Sequence, residues 1–243
     1  MAFYKSIAQW YDYIFPASPP QLEFTGQQLI TIQNKQILDV GCGTGNLSFL
    51  LAQSGAKVKG VDLDKDMIKI AQTKAIGCSN PLFLALDMLL LGYKFNNQTM
   101  DAVICYGNTL AHLLSPTDIL SFLNQTASIL KPGGTLLIQI INYDYILDQG
   151  LDKLPTIENS NIKFERNYQF REQDEMINFK TNLTVKSTHE YISNSVPLNP
   201  IRKNSLLIML EEAGFKHIEL FGAFDGTPLK ERSLQMIIKA LKK

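Results

Sequence analysis

Ile37-Leu38-Asp39-Val40-Gly41-Cys42-Gly43-Thr44-Gly45-Asn46 reads as a buried strand that stops in a glycine-rich turn and then opens a helix. In an α/β sheet, that junction is where a nucleotide-like ligand is held. Three alternate glycines let the turn take positive φ and let a ligand approach the backbone without meeting a Cβ. Seventeen residues past Gly45, the apolar run around Val58, Gly60 and Val61 ends in Asp62. A carboxylate at the tip of the next strand accepts from two vicinal ribose hydroxyls.

The wording of the loop narrows the ligand. A dinucleotide fingerprint wants glycine where this chain has Asn46, and a phosphate loop wants Lys then Ser or Thr after its last glycine. Leu38 to Gly45 instead resembles the first motif of the class I S-adenosylmethionine-dependent methyltransferases. The fold expected is α/β, a Rossmann-like doubly wound sheet of seven strands, mostly parallel, with one antiparallel C-terminal strand. A small antiparallel β insertion follows strand five.

Strand and helix patterns alternate from residue 35 to about 139, as in a parallel sheet with helices on both faces. Strands are expected at 36–40, 57–61, 82–86, 102–106 and 135–140, with helices at 46–53 and 65–74. Ser115, Pro116 and Asp118 read as an N-cap, a first-turn proline and a first-turn acid. Their helix buries Ile119, Phe122, Leu123 and Ile129 and ends at the turn Lys131-Pro132-Gly133-Gly134. From about 161 the period becomes two: Ile162, Phe164, Tyr168 and Phe170 share one strand face, and Ile177, Phe179, Leu183 and Val185 another. A third strand is expected near 190–196. A helix over 203–213 stopped by Gly214 and strands near 216–221 and 234–241 complete the sheet. The reading is one domain over 1–243, with an N-terminal helical cap at 1–34, including a helix around 22–32, and an antiparallel β lid at about 148–200.

The methyltransferase resemblance also implies site roles. The methionyl end of S-adenosylmethionine lies over Gly41, Cys42, Gly43 and Gly45, with Asp39 offsetting the α-ammonium directly or through water. Asp62 holds the ribose hydroxyls, Leu63 and Met67 touch the adenine, Asp87 accepts from the adenine amine, and the Met88 N–H donates to the ring. An N-terminal segment folds over the cofactor in such proteins, and Tyr4, Tyr11 and Tyr13 are the candidates to touch it. S-adenosylhomocysteine is the product, and no metal is expected.

Asp101 to Leu113 and Asn142 to Leu147 resemble the fourth strand and the loop after the fifth strand in glycine N-methyltransferases and related small-molecule N-methyltransferases. Tyr106 and Asn108 are placed at the cofactor by that likeness. Glycine-methylating members carry an arginine immediately before Asn-Tyr-Asp to clamp the substrate carboxylate, and this chain has Ile141 there. Without that bidentate pair, glycine is a poor acceptor. Tyr106, His112 and Tyr143 are the catalytic candidates. His189 is a further polar candidate, and Asp144 and Glu190 are candidates to recognise a cationic substrate; each of these has an alternative reading as a structural or turn residue.

Composition sets limits. Lys plus Arg and Asp plus Glu are 23 each, so no global field favours nucleic acid or an anionic membrane. A small-molecule substrate and a cytoplasmic location are expected. Cys42, Cys78 and Cys105 lack paired or zinc-like spacing. Three alternatives share the glycine loop: a non-catalytic cofactor-binding module, an aminopropyl transferase on the same fold, and an NAD-type oxidoreductase, the last opposed by Asn46.

Overall fold

The computed structural model describes residues 6–243. A helical segment over Ala8–Trp10 and Tyr11–Ile14 leads into helix α1 (Pro19–Leu29). The alternating core follows: β1 (Gln36–Val40), α2 (Asn46–Gln53), β2 (Lys57–Asp62), α3 (Lys65–Lys74), β3 (Leu82–Ala85), β4 (Met100–Cys105), α4 (Pro116–Ile129) and β5 (Leu130–Ile141). After α5 (Tyr143–Asp148) come β6 (Lys153–Glu158), β7 (Ile162–Arg171), β8 (Met176–Val185) and β9 (Tyr191–Leu198). Helix α6 (Lys203–Glu212), β10 (Phe215–Phe221) and β11 (Gln235–Lys242) return to the core.

The main sheet has the order β10-β11-β5-β4-β1-β2-β3. Its pairings are parallel except those of β11, which lies antiparallel between β5 and β10. Because the chain leaves β1 toward β2 on one side and β4 on the other, a crevice opens at the carboxyl end of β1, where the glycine loop begins. Strand β1 is sealed on both faces. Leu38 and Val40 join Val103, Leu136 and the α4 residues Ile119, Phe122 and Leu123, while Ile37 joins Ala102, Ile104, Phe24 of α1 and Leu47 and Leu51 of α2. Each of these Leu, Ile, Val and Phe side chains contributes about 1.5–3 kcal/mol by leaving water.

Local signals fix the helix starts. Ser115 Oγ accepts the Asp118 N–H at 3.0 Å, with Pro116 in the first turn, and Asp64 caps α3 by accepting from the Asp66 and Met67 N–H groups. The Lys131-Pro132-Gly133-Gly134 run, expected as a free turn, instead enters the irregular start of β5, with Gly133 at φ +72°.

The inserted strands form a separate antiparallel sheet, β6-β7-β8-β9. In register, Ile162 faces Val185, Phe164 faces Leu183 and Tyr168 faces Phe179. Its apolar face packs on Ile7, Ile14 and Phe15 of the N-terminal segment, with Phe15 edge-on to Phe164. Strand β6 was not expected, and Phe170, assigned to the apolar face, is half exposed near the hairpin end. Among the described residues no helix is long and apolar enough to cross a membrane.

Candidate functional site

Two cavities meet at the carboxyl end of β1, sharing Tyr11, Gly41, Gly107 and His112. The first, about 340 Å³, lies between the glycine loop, the end of β2 and the turn after β3. The second, about 580 Å³, lies between the loop after β4, the end of β5, the N-terminal segment and the inserted sheet.

Asp62 organises the first cavity. Its Oδ2 accepts the Gly43 N–H at 2.9 Å and its Oδ1 accepts the Asp64 N–H at 2.9 Å. An ionised carboxylate offers about four acceptor directions, so two stay available for a pair of hydroxyls. Burial raises its pKa, opposed by those two N–H groups. Gly41, Gly43, Leu63, Met67, Asp87 and Met88 line the same cavity. Leu63 is 46% exposed at its wall, an apolar face suited to a flat ring. Asp87 does two things: its Oδ1 caps the following turn through the Leu89 N–H at 2.9 Å, and the residue borders the cavity. These features fit an adenosyl group: a fixed carboxylate for the ribose, an apolar wall and a second carboxylate beyond it.

The glycines serve the protein as well as a ligand. Gly45, expected to touch the cofactor, lines neither cavity; it has φ +86°, and a Cβ there would stand 2.5 Å from the Phe83 ring. Its bareness lets α2 start tight against β3. A Cβ on Gly41 would strike the Thr109 side chain, at 2.4 Å, which closes the loop from the β4 side.

Asn46, the residue that argued against a dinucleotide loop, has its own use. Its amide donates to Asp12 Oδ1 at 3.0 Å and to the Phe15 carbonyl at 2.9 Å, and its Oδ1 accepts from Lys74 Nζ at 3.1 Å. Asp12 also accepts from Thr44 Oγ and pairs with Lys74, each at 2.5 Å. The N-terminal segment is thus tied to the glycine loop, setting Tyr11 between the two cavities. Burial raises the Asp12 pKa, but Lys74, Thr44 and Asn46 together hold it below its ordinary value. Of the other tyrosine candidates, Tyr13 lines neither cavity and Tyr4 lies outside the described residues.

Asp39, Cys42, Tyr106 and Asn108 border the second cavity instead of the first. Asp39 accepts from Ser48 Oγ at 2.6 Å, and burial, reinforced by the nearby Asp62 charge and opposed by that bond, raises its pKa to about 6. The Cys42 side chain packs with Phe83 beneath the loop. The Asn108 amide is committed to protein: Nδ2 donates to Tyr143 Oη at 2.9 Å and Oδ1 accepts the Ile141 N–H at 3.0 Å.

The catalytic candidates separate. His112 borders both cavities, and burial lowers its pKa to about 4. Tyr106 borders the second cavity with Oη 3.1 Å from Thr25 Oγ, and burial raises its pKa. Tyr143 is fully buried and lines neither cavity, so it positions Asn108 instead of touching a ligand. Three further candidates lie away from the site. His189 and Glu190 are exposed at the β8–β9 turn, and Asp144 holds Arg202 Nη1 at 3.1 Å and the Lys203 N–H at 2.9 Å.

Sequence reading missed Arg166, Gln139 and Gln235, all on the second cavity. Arg166 carried a signal, a cation at an inward position of a period-two strand.

The family described as "Methyltransferase domain" matches residues 37–134. A glycine/sarcosine N-methyltransferase of Aphanothece halophytica is 30% identical over 195 residues, 79% of this chain and 71% of the relative. A ubiquinone biosynthesis O-methyltransferase of Hydrogenovibrio crunogenus is 33% identical over 128 residues, 53% of this chain and 51% of the relative. A crystal structure of an S-adenosylmethionine-dependent methyltransferase from Clostridium acetobutylicum superposes with a TM-score of 0.82 over 98% of both chains at 17% identity, a likeness of fold.

Proposed function

This chain belongs to the class I S-adenosylmethionine-dependent methyltransferases, and from that premise we propose that it methylates a small molecule, at nitrogen in preference to oxygen. One observation carries the reading: the two cavities join at Tyr11, Gly41, Gly107 and His112, so a donor and an acceptor can meet there. The cofactor supplies a methyl group on a sulfonium, open to displacement by a lone pair. In this assignment Asp62 holds the ribose, Asp87 the adenine amine, and Asp39 offsets the α-ammonium. The second cavity takes the acceptor, and the N-terminal segment and inserted sheet form the lid that keeps water from the reacting groups.

Nitrogen is favoured on acid–base grounds. A neutral amine attacks with its own lone pair and loses its proton afterwards, whereas a hydroxyl needs a base. His112, with its lowered pKa, is a weak base, and Tyr106 is held protonated by burial. The N-methyltransferase name of the relative from Aphanothece halophytica agrees. Aminopropyl transfer is disfavoured because, among the described residues, Asp39 is the one carboxylate on the acceptor cavity, too few for a polycation.

Incubation with methyl-labelled cofactor and a fractionated metabolite extract tests the proposal. Label in a small amine is the expected result. Label confined to hydroxyl compounds, protein or nucleic acid would contradict it.

A further inference from the structure

Among the described residues lining the acceptor cavity, formal charge comes from Asp39 and Arg166. Asp39 sits at the end of β1 beside the glycine loop, and Arg166 comes from β7 in the inserted sheet. The Arg166 guanidinium has five donors, yet among the described residues its hydrogen-bond acceptor is the Pro155 carbonyl, which Nη2 reaches at 2.5 Å. Its Nε is buried with no hydrogen-bond partner, and among the described residues no carboxylate pairs with it. Burial pulls its pKa down, with only the neighbouring Tyr168 opposing. A half-buried cation held without a counter-charge is costly unless a ligand supplies one.

The surroundings define that ligand. Gln139 and Gln235 border the same cavity, the former spending its Oε1 on the Gly107 N–H at 2.8 Å. Phe164, Tyr168, Phe179 and Leu198 make the side of the wall formed by the inserted sheet apolar around Arg166. With one guanidinium and no second cation on the cavity among the described residues, the charge matches a monoanion and undercompensates a phosphate dianion.

We propose that Arg166 receives a carboxylate on the methyl acceptor, whose apolar body lies against the inserted sheet. The clamp absent at Ile141 is then supplied from the opposite wall, and the acceptor is a hydrophobic carboxylate larger than glycine. This rests on the second cavity being the acceptor site, as proposed above.

The test uses the full chain saturated with S-adenosylhomocysteine, titrated calorimetrically with 3-phenylpropionate and with its neutral isostere 3-phenylpropanamide. The acid should bind at least about tenfold more tightly than the amide, as for loss of a charged hydrogen-bond partner. Arg166→Gln should erase that difference while leaving amide and S-adenosylhomocysteine affinities unchanged, and Arg166→Lys should restore it in part. Equal binding of acid and amide by the unaltered protein, binding of neither at about 10 mM, or a preference that survives Arg166→Gln would overturn the proposal. Failure of S-adenosylhomocysteine itself to bind would instead remove the cofactor reading beneath it.

Discussion

The Asp62 carboxylate accepts the Gly43 N–H at 2.9 Å, so the tip of β2 holds the glycine loop that crosses the end of β1. Asp62 also lines the first cavity. One side chain therefore links the glycine loop to the first cavity, beside the Val61 carbonyl that accepts the Gly41 and Cys42 N–H groups. Asp62→Ala is expected to weaken S-adenosylhomocysteine binding by about tenfold or more, measured by calorimetry. An unchanged affinity would move the ribose site elsewhere.

Asp39 is expected to make S-adenosylhomocysteine binding depend on pH. Its folded pKa of about 6 lies above the ordinary 3.8, so between those values the folded protein holds a proton the unfolded chain has released. Stability from this group is present below pH 3.8 and declines as pH rises through 6. A ligand bearing an α-ammonium there favours the ionised carboxylate and reverses the trend for the complex. S-adenosylhomocysteine affinity should fall by about tenfold from pH 7 to pH 5. Asp39→Asn should flatten that profile.

The first cavity was legible because the part of its lining named from sequence is nearly contiguous: a strand, its glycine loop and the acid ending the next strand. Strand 36–40 and helix 46–53 have the expected bounds, since the glycines punctuate both. Strand β6 escaped because Leu154 and Ile157 break the period of two, and a register shift between them accommodates the break. The second cavity escaped because its walls come from residues far apart in the chain, such as Phe15, Ile141, Arg166 and Gln235. Pattern on one strand cannot report which segments converge.

Asp12 ties the N-terminal segment to the loop through Thr44, Asn46 and Lys74. Its side chain is 43% exposed, so Asp12→Ala should cost about 1 kcal/mol of stability or less. Its effect should appear in kinetics, as faster S-adenosylhomocysteine dissociation by stopped flow. Because the folded Asp12 pKa is lowered, its tether is complete above pH 3.8 and is lost as pH falls through the folded value. An unchanged dissociation rate would mean that the segment does not retain the ligand.

Gly45→Ala should destabilise the fold without removing a ligand contact. The left-handed φ of +86° and the 2.5 Å approach to Phe83 both penalise a methyl group. A loss of about 1–3 kcal/mol in urea unfolding is expected. A neutral result would mean that the loop relaxes around the added carbon.

Calorimetric titration of the unaltered protein with S-adenosylhomocysteine tests the central claim most directly. Saturable binding with one ligand per chain is expected. No heat of binding at millimolar ligand would contradict it.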